Sequence, residues 1–516
     1  MATAASTNSP PEISITPFNR ALLTVAIMGA SVIQILDATI ANVALPHMQT
    51  SLGATLDSVT WVLTSYIVAS AIAMPITGWL ADRIGGRELF LIAVIGFVIS
   101  SMLCGLATNL EEMILFRVIQ GISGAFIAPL SQTAMLDINP PERHAKAMAI
   151  WGMGIMVGPI LGPVIGGWLT ESYSWRWCFY VNVPLGAVTI TVLWALLPRK
   201  PVTRRKFDHL GFWALAIGLA SLQMMLDRGA QLDWFDSWEI RIEALLALAG
   251  FWIFIVQMAT ARNGLFSRVM LTNRNYATSL IFMLVIGVVM FANMALLPPM
   301  MQNLFGYPVI DTGLLLAPRG VGVLISMAVA GQLLGKVDAR HLVGAGFLIV
   351  IFSLWQMSHW SLQMDWRPFV ISGLIQGLGM GLVFIPLNTL AFSSLPPELR
   401  TDGSSLLNLG RSLGASIGIS VVSTFLGSNI QTSHQDLGSH ITSSTINSID
   451  ASTIDRFPGI ADPAMAMVNM LINQQAAMIA YINNFWLIMW LTIAAFPLLL
   501  LLRPAKLEEN APPLLD

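Results

Sequence analysis

Fourteen apolar runs, separated mostly by short polar segments, follow one another along the chain between residues 20 and 502. Each run is long enough to cross a bilayer, which takes about 20 mostly apolar residues in a helix. The pattern therefore predicts an all-α polytopic membrane protein. The predicted helices lie at 20–45, 58–80, 88–107, 111–136, 146–170, 177–198, 209–227, 240–261, 276–301, 311–333, 341–359, 367–393, 403–427 and 483–502.

Three motifs recur at one spacing and indicate that the chain is a duplication. The segments 119–121 and 140–142 return as 375–377 and 396–398, and a set of three glycines returns as well, all 256 residues later. Parallel repeats of this kind, related by an axis along the membrane normal, are typical of secondary transporters. The sequence therefore predicts two parallel six-helix repeats, with two extra central helices between them.

This organisation divides the chain into five parts. They are a cytoplasmic tail at 1–19, an N-terminal six-helix bundle at 20–198, a linker with two extra membrane helices at 199–275, a C-terminal six-helix bundle at 276–502 and a second cytoplasmic tail at 503–516. The second bundle includes a long polar loop at 427–483, expected outside the membrane. Its later part, 464–481, has a Met/Ile/Ala pattern that predicts an external amphipathic helix, and two interpretations of the loop stay open: a docking element or a solvated linker.

Charge supports the membrane assignment and predicts the orientation. Only 10% of the residues are charged, against roughly 25% in soluble domains, and the mean hydropathy is +0.71. Most of the 26 Lys and Arg residues fall in segments on the same side as the two termini. Because cytoplasmic loops carry the excess of cationic residues, both termini are expected in the cytoplasm.

One stretch of the predicted fifth helix is unusually rich in glycine and proline. Glycines spaced four residues apart fall on one helix face, where a neighbouring helix can approach closely, and prolines bend the helix beside them. The stretch therefore predicts a kinked, tightly packed helix. Its residues are Gly154, Gly158, Pro159, Gly162, Pro163, Gly166 and Gly167.

This stretch resembles motif C, the antiporter signature of the major facilitator superfamily. Four other segments strengthen the resemblance: 78–87 resembles motif A, 115–121 motif B, 36–46 the first-helix motif of the fourteen-helix subgroup, and 222–235 the region between its two extra helices. Together they are similar to the fourteen-helix drug:proton antiporters of the EmrB type. In motif A, the resemblance implies that Gly78, Asp82, Arg83 and Arg87 form a conformational switch, with interhelical charge contacts that break and re-form.

The resemblance also implies the major facilitator fold and a function. It implies a multidrug exporter of a bacterial inner membrane that is driven by the proton motive force, has no cofactor and moves small lipophilic or amphipathic drugs. Relatives of this type work with a periplasmic adaptor and an outer-membrane channel. No phosphate-binding loop and no hydrolytic motif is evident in the sequence, so we expect neither an enzyme nor an ATP-driven pump. Two cysteines are too few for a usual metal site.

Asp37 is the one carboxylate that the sequence places deep within a predicted span. It lies about 25 Å from the start of its helix, at 1.5 Å per residue. An ionised carboxylate in lipid is costly, so Asp37 should face a cavity or be protonated. Arg117 lies at a similar depth on the fourth helix. We therefore expect Asp37 and Arg117 to interact, directly or through water, and to carry proton coupling.

Other polar residues within the predicted spans are candidates for the substrate cavity. Each could equally be a hydrogen-bonding contact between helices. The candidates are Gln34, Asn42, Gln120, Asn293, Arg319, Gln376, Asn388 and Arg411.

Three other functions stay open at the level of sequence. A dedicated exporter of one metabolite or siderophore would carry the same motifs, and only a substrate panel separates it from a multidrug exporter. An uptake symporter is disfavoured because the glycine and proline pattern resembles that of antiporters. A non-transporting membrane sensor is disfavoured because Asp37, Arg117 and both loop motifs are present.

Overall fold

The computed structural model describes residues 16–203, 205–261, 264–334, 336–439 and 461–503. It contains 14 helices that are long and apolar enough to cross a membrane, which confirms the predicted number. Most of the two predicted tails lies outside the described residues. The helices are α1 Pro17–Ser51, α2 Trp61–Ile84, α3 Gly86–Leu106, α4 Leu110–Asp137, α5 Pro141–Ser172, α6 Trp177–Leu196, α7 His209–Arg228, α8 Trp238–Thr260, α9 Arg274–Asn303, α10 Val309–Leu333, α11 Ala339–Met357, α12 Arg367–Ser393 and α13 Pro397–Ser439, with α14 at Ala461–Ala495 continued by a 3-10 turn at Phe496–Leu501.

The helices pack as two half-bundles with a pair between them. In the first half α1 packs against α5 and α6, and α4 packs against α2 and α3; in the second half α9 packs against α13, and α12 packs against α10 and α11. Helices α7 and α8 form a hairpin that packs against α2. The halves meet where α5 contacts α10 and where α2 and α4 contact α13.

Helix α5 is interrupted where the sequence predicts a bend. One α-helical segment ends at Ile155 and the next begins at Val157. Pro159 has no amide hydrogen, so the carbonyl group of Ile155 loses its intrahelical partner. Proline thus accounts for the interruption beside the glycine face.

The glycines of α5 pack against α1, the helix that carries Asp37. A β-carbon on Gly158 would lie 2.8 Å from Ile35 Cγ2 and 3.1 Å from the backbone nitrogen of Leu36. The glycines one turn away on either side meet α1 as well, Gly154 at Met28 and Gly162 at Thr39, and Gly166, two turns away, meets Ile40. These four glycines therefore allow the close approach that the spacing predicts, whereas a β-carbon on Gly167 would meet nothing within 4 Å.

The second set of glycines makes the same kind of contact in the other half. A β-carbon on Gly418 of α13 would lie 2.7 Å from the carbonyl oxygen of Val288 in α9, and Gly410 and Gly414 pack against Leu280 and Leu284 of the same helix. In both halves, therefore, the fifth helix uses glycines to approach the first. This is the packing that two parallel repeats predict.

The predicted loop at 427–483 differs from the structure. Helix α13 continues as far as Ser439, and the last helix already begins at Ala461; residues 440–460 lie outside the described residues. The sequence 427–439 is polar and contains no proline, so it can leave the bilayer while its helical hydrogen bonds continue in water. The polar residues after 427 were wrongly taken as the end of the helix, whereas the helix predicted at 464–481 lies within the last helix of the structure.

Candidate functional site

Asp37 lies in a fully buried polar cluster that joins α1, α4 and α6. The Nη1 atom of Arg117 donates to Asp37 Oδ2 at 2.7 Å. The side-chain amides of Gln120 and Asn182 donate to Asp37 Oδ1 at 2.9 and 2.8 Å. The side chains of both Asp37 and Arg117 are 0% exposed. The expected acid–arginine pair therefore exists, in a form closed to solvent.

Arg117 is held from several directions at once. Its Nε donates to the carbonyl oxygen of Val62 in α2 at 3.0 Å, and its Nη1 also reaches Gln120 Oε1 at 2.7 Å. The guanidinium lies over the ring of Tyr66, with 4.5 Å from Cζ to the ring centroid, and beside Phe179. The pair thus fixes the relative positions of four helices of the first half.

This arrangement makes the protonation of Asp37 a structural event. A buried charge that loses its partner destabilises a protein by about 3–5 kcal/mol. Neutralising Asp37 would therefore leave the buried Arg117 with neutral acceptors alone, the Val62 carbonyl oxygen and Gln120 Oε1. Sequence reasoning missed Asn182, although an asparagine at the start of an apolar span was a usable signal.

A second charged cluster joins the two halves. It lies at the end of the bundle where α2 ends at Ile84 and α13 begins at Pro397. We call this end of the bundle the basic end. Arg205, in the linker after α6, forms two hydrogen bonds to Asp402 of α13, at 2.7 and 2.8 Å. Its Nε lies 3.1 Å from Asp82 Oδ2 of α2. Gly78 lies directly against the Asp402 carboxylate. One guanidinium therefore links a carboxylate from each half.

The contacts of motif A differ from those that the resemblance implies. Asp82 pairs with Arg205 of the linker, whereas Arg83 lies over the ring of Trp79 at 5.2 Å. Arg87 contacts its neighbour Glu88 at 3.5 Å and donates to a carbonyl group of α6. The linker passes alongside Asp82, since the amide of Thr203 donates to the Asp82 carbonyl oxygen at 3.0 Å. Arg205 therefore reaches Asp82 from the linker, a contact that the sequence analysis did not predict.

Further contacts close the same end of the seam between the halves. Asn408 of α13 donates to Gln132 Oε1 of α4 at 2.9 Å, and Ser404 bonds the same oxygen. On the other side of the seam, a β-carbon on Gly331 of α10 would lie 2.8 Å from Ala149 Cβ of α5. The contacts of α2 with α13 run along Met74–Ile84. The structure thus represents a state with the basic end closed.

We expect Arg205→Gln to loosen this closed end. The variant loses the charged hydrogen bonds to Asp402 and the ion pair with Asp82, and at a partly exposed site we expect about a tenfold shift toward the open arrangement. The measurement is the rate of maleimide labelling of an Ala149→Cys probe, which keeps the β-carbon that packs against Gly331 and is buried at the seam. The native Cys104 and Cys178 are also buried and give little background.

A matched control comes from the same linker. Arg199 pairs with Glu88 at 3.0 Å but is 76% exposed, so Arg199→Gln should leave the labelling rate unchanged. Equal rates for the parent and Arg205→Gln would show that Arg205 does not hold the end closed.

The candidate cavity residues fall into different surroundings. Gln120 belongs to the Asp37 cluster, and Asn42 is exposed near the end of α1. Gln34 is half-buried on α1. The other five lie in the second half: Asn293, Gln376 and Asn388 are buried, whereas Arg319 and Arg411 are half-buried.

Comparisons with known proteins agree with this architecture. Residues 27–419 match the model of the Major Facilitator Superfamily. The chain is 39% identical to the multidrug export protein EmrB of Escherichia coli K12 over 78% of this chain and 79% of that one. It is 37% identical to EmrB of Haemophilus influenzae over 81% of this chain and 83% of that one. The crystal structure of the human organic anion transporter MFSD10 covers 92% of this chain and 100% of its own, with a TM-score of 0.57 and 15% identity, and shows the fold alone.

Fourteen membrane helices in two related half-bundles, with a charge cluster closing one end of the seam, define a multi-pass transporter of small molecules. The chain belongs to the Major Facilitator Superfamily.

Proposed function

We propose that the protein is a proton-driven multidrug exporter of a bacterial inner membrane, with both termini in the cytoplasm. The observation that carries the proposal is the Asp37–Arg117 pair, buried at 2.7 Å within a chain that is 39% identical to a multidrug export protein. A carboxylate in such a place is a functional site by default. With the basic end facing the cytoplasm, the state described here is closed to the cytoplasm.

In this proposal the proton on Asp37 drives the change of state. Protonation removes the charge that holds Arg117, and loosens the contacts of α1 with α4 and α6. The glycine face of α5 allows α1 to shift while the two helices stay packed. Opening of the basic end then breaks the bonds of Arg205 to Asp82 and Asp402, and the drug enters from the cytoplasmic side as the proton leaves.

The energy source in this proposal is the proton motive force, and no cofactor takes part. One elementary charge that crosses 100 mV supplies about 2.3 kcal/mol. A periplasmic adaptor and an outer-membrane channel are part of the proposal as partners. The proposed place for the adaptor is the polar end of α13, whose residues 427–439 extend past the predicted span.

The test uses the full chain in liposomes with a pH-sensitive dye inside. A panel of lipophilic drugs is added, and proton release is followed with and without an imposed pH gradient. We expect drug-dependent proton release, and drug accumulation that a protonophore abolishes. Drug transport that persists unchanged after the gradient has collapsed would overturn proton coupling. If only one compound of the panel moved protons, the protein would be a dedicated exporter.

A further inference from the structure

The first of the two extra helices, α7, contacts α2 through an acidic side chain near its end. The hydroxyl group of Thr64 in α2 donates to Asp227 Oδ2. Asp227 precedes Arg228, the last residue of α7, and lies at the exposed surface of the bundle, whereas Thr64 is buried. Thr64 is near the start of α2, so this contact lies at the end of α2 opposite the basic end.

A carboxylate at this position needs a compensating contact. The last turn of a helix carries partial negative charge, which disfavours an acid there. The ion pairs within the described ranges do not include Asp227. The adjacent Arg228 is directed to α8, where it pairs with Glu239 at 2.6 Å and Glu243 at 3.3 Å. The hydroxyl group of Thr64 therefore supplies the hydrogen bond that compensates the Asp227 carboxylate.

The connection between α7 and α8 fixes the end of α7. Asp233 and Trp234 have φ angles of 52° and 53°, a left-handed conformation that is costly for residues other than glycine and persists only where the surroundings hold it. The amide of Trp234 donates to the carbonyl oxygen of Gly229 at 2.8 Å. A β-carbon on Gly229 would lie 2.8 Å from the Trp234 ring. The connection thus packs back onto the last turn of α7 and holds Asp227 in place.

The opposite face of α2 carries two of the contacts that hold Arg117. One is the Val62 carbonyl oxygen, 3.0 Å from Arg117 Nε, and the other is the Tyr66 ring, 4.5 Å from Arg117 Cζ. Val62 and Tyr66 are four residues apart and share a face of the helix, whereas Thr64 lies about 200° around the helix from each. Helix α2 therefore contacts α7 with one face and Arg117 with the other.

The chain that leads into α7 also contacts α2 at the basic end. The ring of Trp79 lies 4.4 Å from that of Phe207, and Trp79 Nε1 donates to the carbonyl oxygen of Arg205 at 3.2 Å. Thr64 and Trp79 are fifteen residues apart, about 22 Å along the helix. The insert thus holds α2 at two distant points, and α2 cannot shift without breaking one of these contacts.

We propose that Asp227 is a positioning residue for proton coupling, which holds α2 through Thr64 so that α2 keeps Arg117 paired with Asp37. The inference rests on the proposed export function and gives the insert a part in it. A hydrogen bond from a hydroxyl group to a carboxylate is charge-assisted, and is roughly twice as strong as a neutral one. Without this bond, α2 loses its support near Arg117, and its two contacts with the guanidinium loosen.

A native thiol reports on the state of the Asp37 cluster. Cys104 is 0% exposed, and its Sγ donates to Gln120 Oε1 at 3.7 Å. It also belongs to the same buried apolar cluster as Val62. Because the chain has two cysteines, Cys178→Ser leaves Cys104 as the only thiol. The rate at which N-ethylmaleimide labels Cys104 then measures how often this cluster opens.

The test compares two substitutions that remove the same hydrogen bond, in the full chain with Cys178→Ser. Asp227→Leu and Thr64→Val should each raise the labelling rate of Cys104 about tenfold, and the two combined should add little to either alone. In liposomes, each should lower drug-dependent proton release about tenfold. Equilibrium drug binding without a gradient should stay within about twofold of the parent, because Asp227 acts on proton coupling through α2.

Conservative variants separate positioning from a general structural role. Thr64→Ser keeps the hydroxyl group and should behave like the parent, while Asp227→Asn keeps a neutral acceptor and should give an intermediate labelling rate. Asp236→Asn, at an exposed position in the same connection, should change nothing. Parent labelling rates in both Asp227→Leu and Thr64→Val would overturn the proposal. Equal damage by Thr64→Ser and Thr64→Val, or a parallel loss of drug binding, would also overturn it.

The two readouts distinguish this inference from the function on which it rests. Drug-dependent proton release that Asp227→Leu and Thr64→Val leave unchanged would keep the exporter proposal and refute the role of Asp227. Faster labelling of Cys104 in these variants, with no drug-dependent proton release even by the parent, would support the hold of Asp227 on the Arg117 contacts and refute the exporter proposal.

Discussion

Replacing Asp37 with asparagine is expected to reduce drug-dependent proton release by at least about 100-fold, because the variant removes the proton acceptor and strands a buried guanidinium at a cost of about 3–5 kcal/mol. Asn182 and Gln120 both donate to Asp37 Oδ1, and an asparagine oxygen can still accept from one of them. The variant should therefore still insert into the membrane and bind drug. The measurement is proton release from liposomes on addition of drug.

Two further variants make the result specific. Asp37→Asn combined with Arg117→Gln removes both charges, so it should recover stability in detergent but not proton release. Asp365→Asn removes an exposed acid whose pair with Arg367 spans 3.5 Å, and it should behave like the parent. Undiminished proton release by Asp37→Asn would remove Asp37 from the mechanism.

Gly158→Leu is expected to abolish transport, by forcing α5 away from α1. Even a β-carbon there would lie 3.1 Å from the backbone nitrogen of Leu36, and backbone cannot rotate aside as a side chain does. Overpacking of this kind costs about 1–3 kcal/mol or more. Because Leu36 adjoins Asp37, the displacement should also distort the buried pair. Drug resistance in cells and proton release in liposomes both measure the loss.

A neighbouring glycine supplies the control. A β-carbon on Gly167 would meet nothing within 4 Å, so Gly167→Ala should keep transport close to the parent, whereas Gly158→Ala should lower it to an intermediate level. If Gly158→Leu exported drugs as well as the parent, close packing of α5 on α1 would not be required for transport.

Much of the fold could be predicted because the bilayer imposes a simple rule on the sequence. Each span needs an apolar run of about 20 residues. In the run that contains Gly154 and Gly158, the spacing of the glycines also predicted close packing against a neighbouring helix. The same rule failed beyond the membrane. Hydropathy indicates where an apolar run ends. Helix α13 continues to Ser439, beyond the end of its apolar run.

The candidate site could be predicted only in part. Asp37 and Arg117 were visible because a charge inside an apolar run is rare and needs a partner. The Arg205 cluster was not visible, since Asp82 and Asp402 are 320 residues apart in the sequence and their shared partner comes from a loop with several other cations. Which cation reaches which acid depends on the path of the linker, and a residue pattern does not contain that path.

The position of Arg205 also bears on how a fourteen-helix transporter could be shortened to twelve. Excising residues 199–275 would remove the insert together with this guanidinium, and would leave the carboxylates of Asp82 and Asp402 facing each other at the closed end. Like charges repel, so the shortened protein would favour the arrangement in which the basic end is open. It would then not stay closed at that end. A viable twelve-helix version would need a substitute cation or a neutralised acid at one of these positions. The insert that carries the two extra helices thus helps to close the basic end through the charge of Arg205, as well as connecting the two halves of the chain.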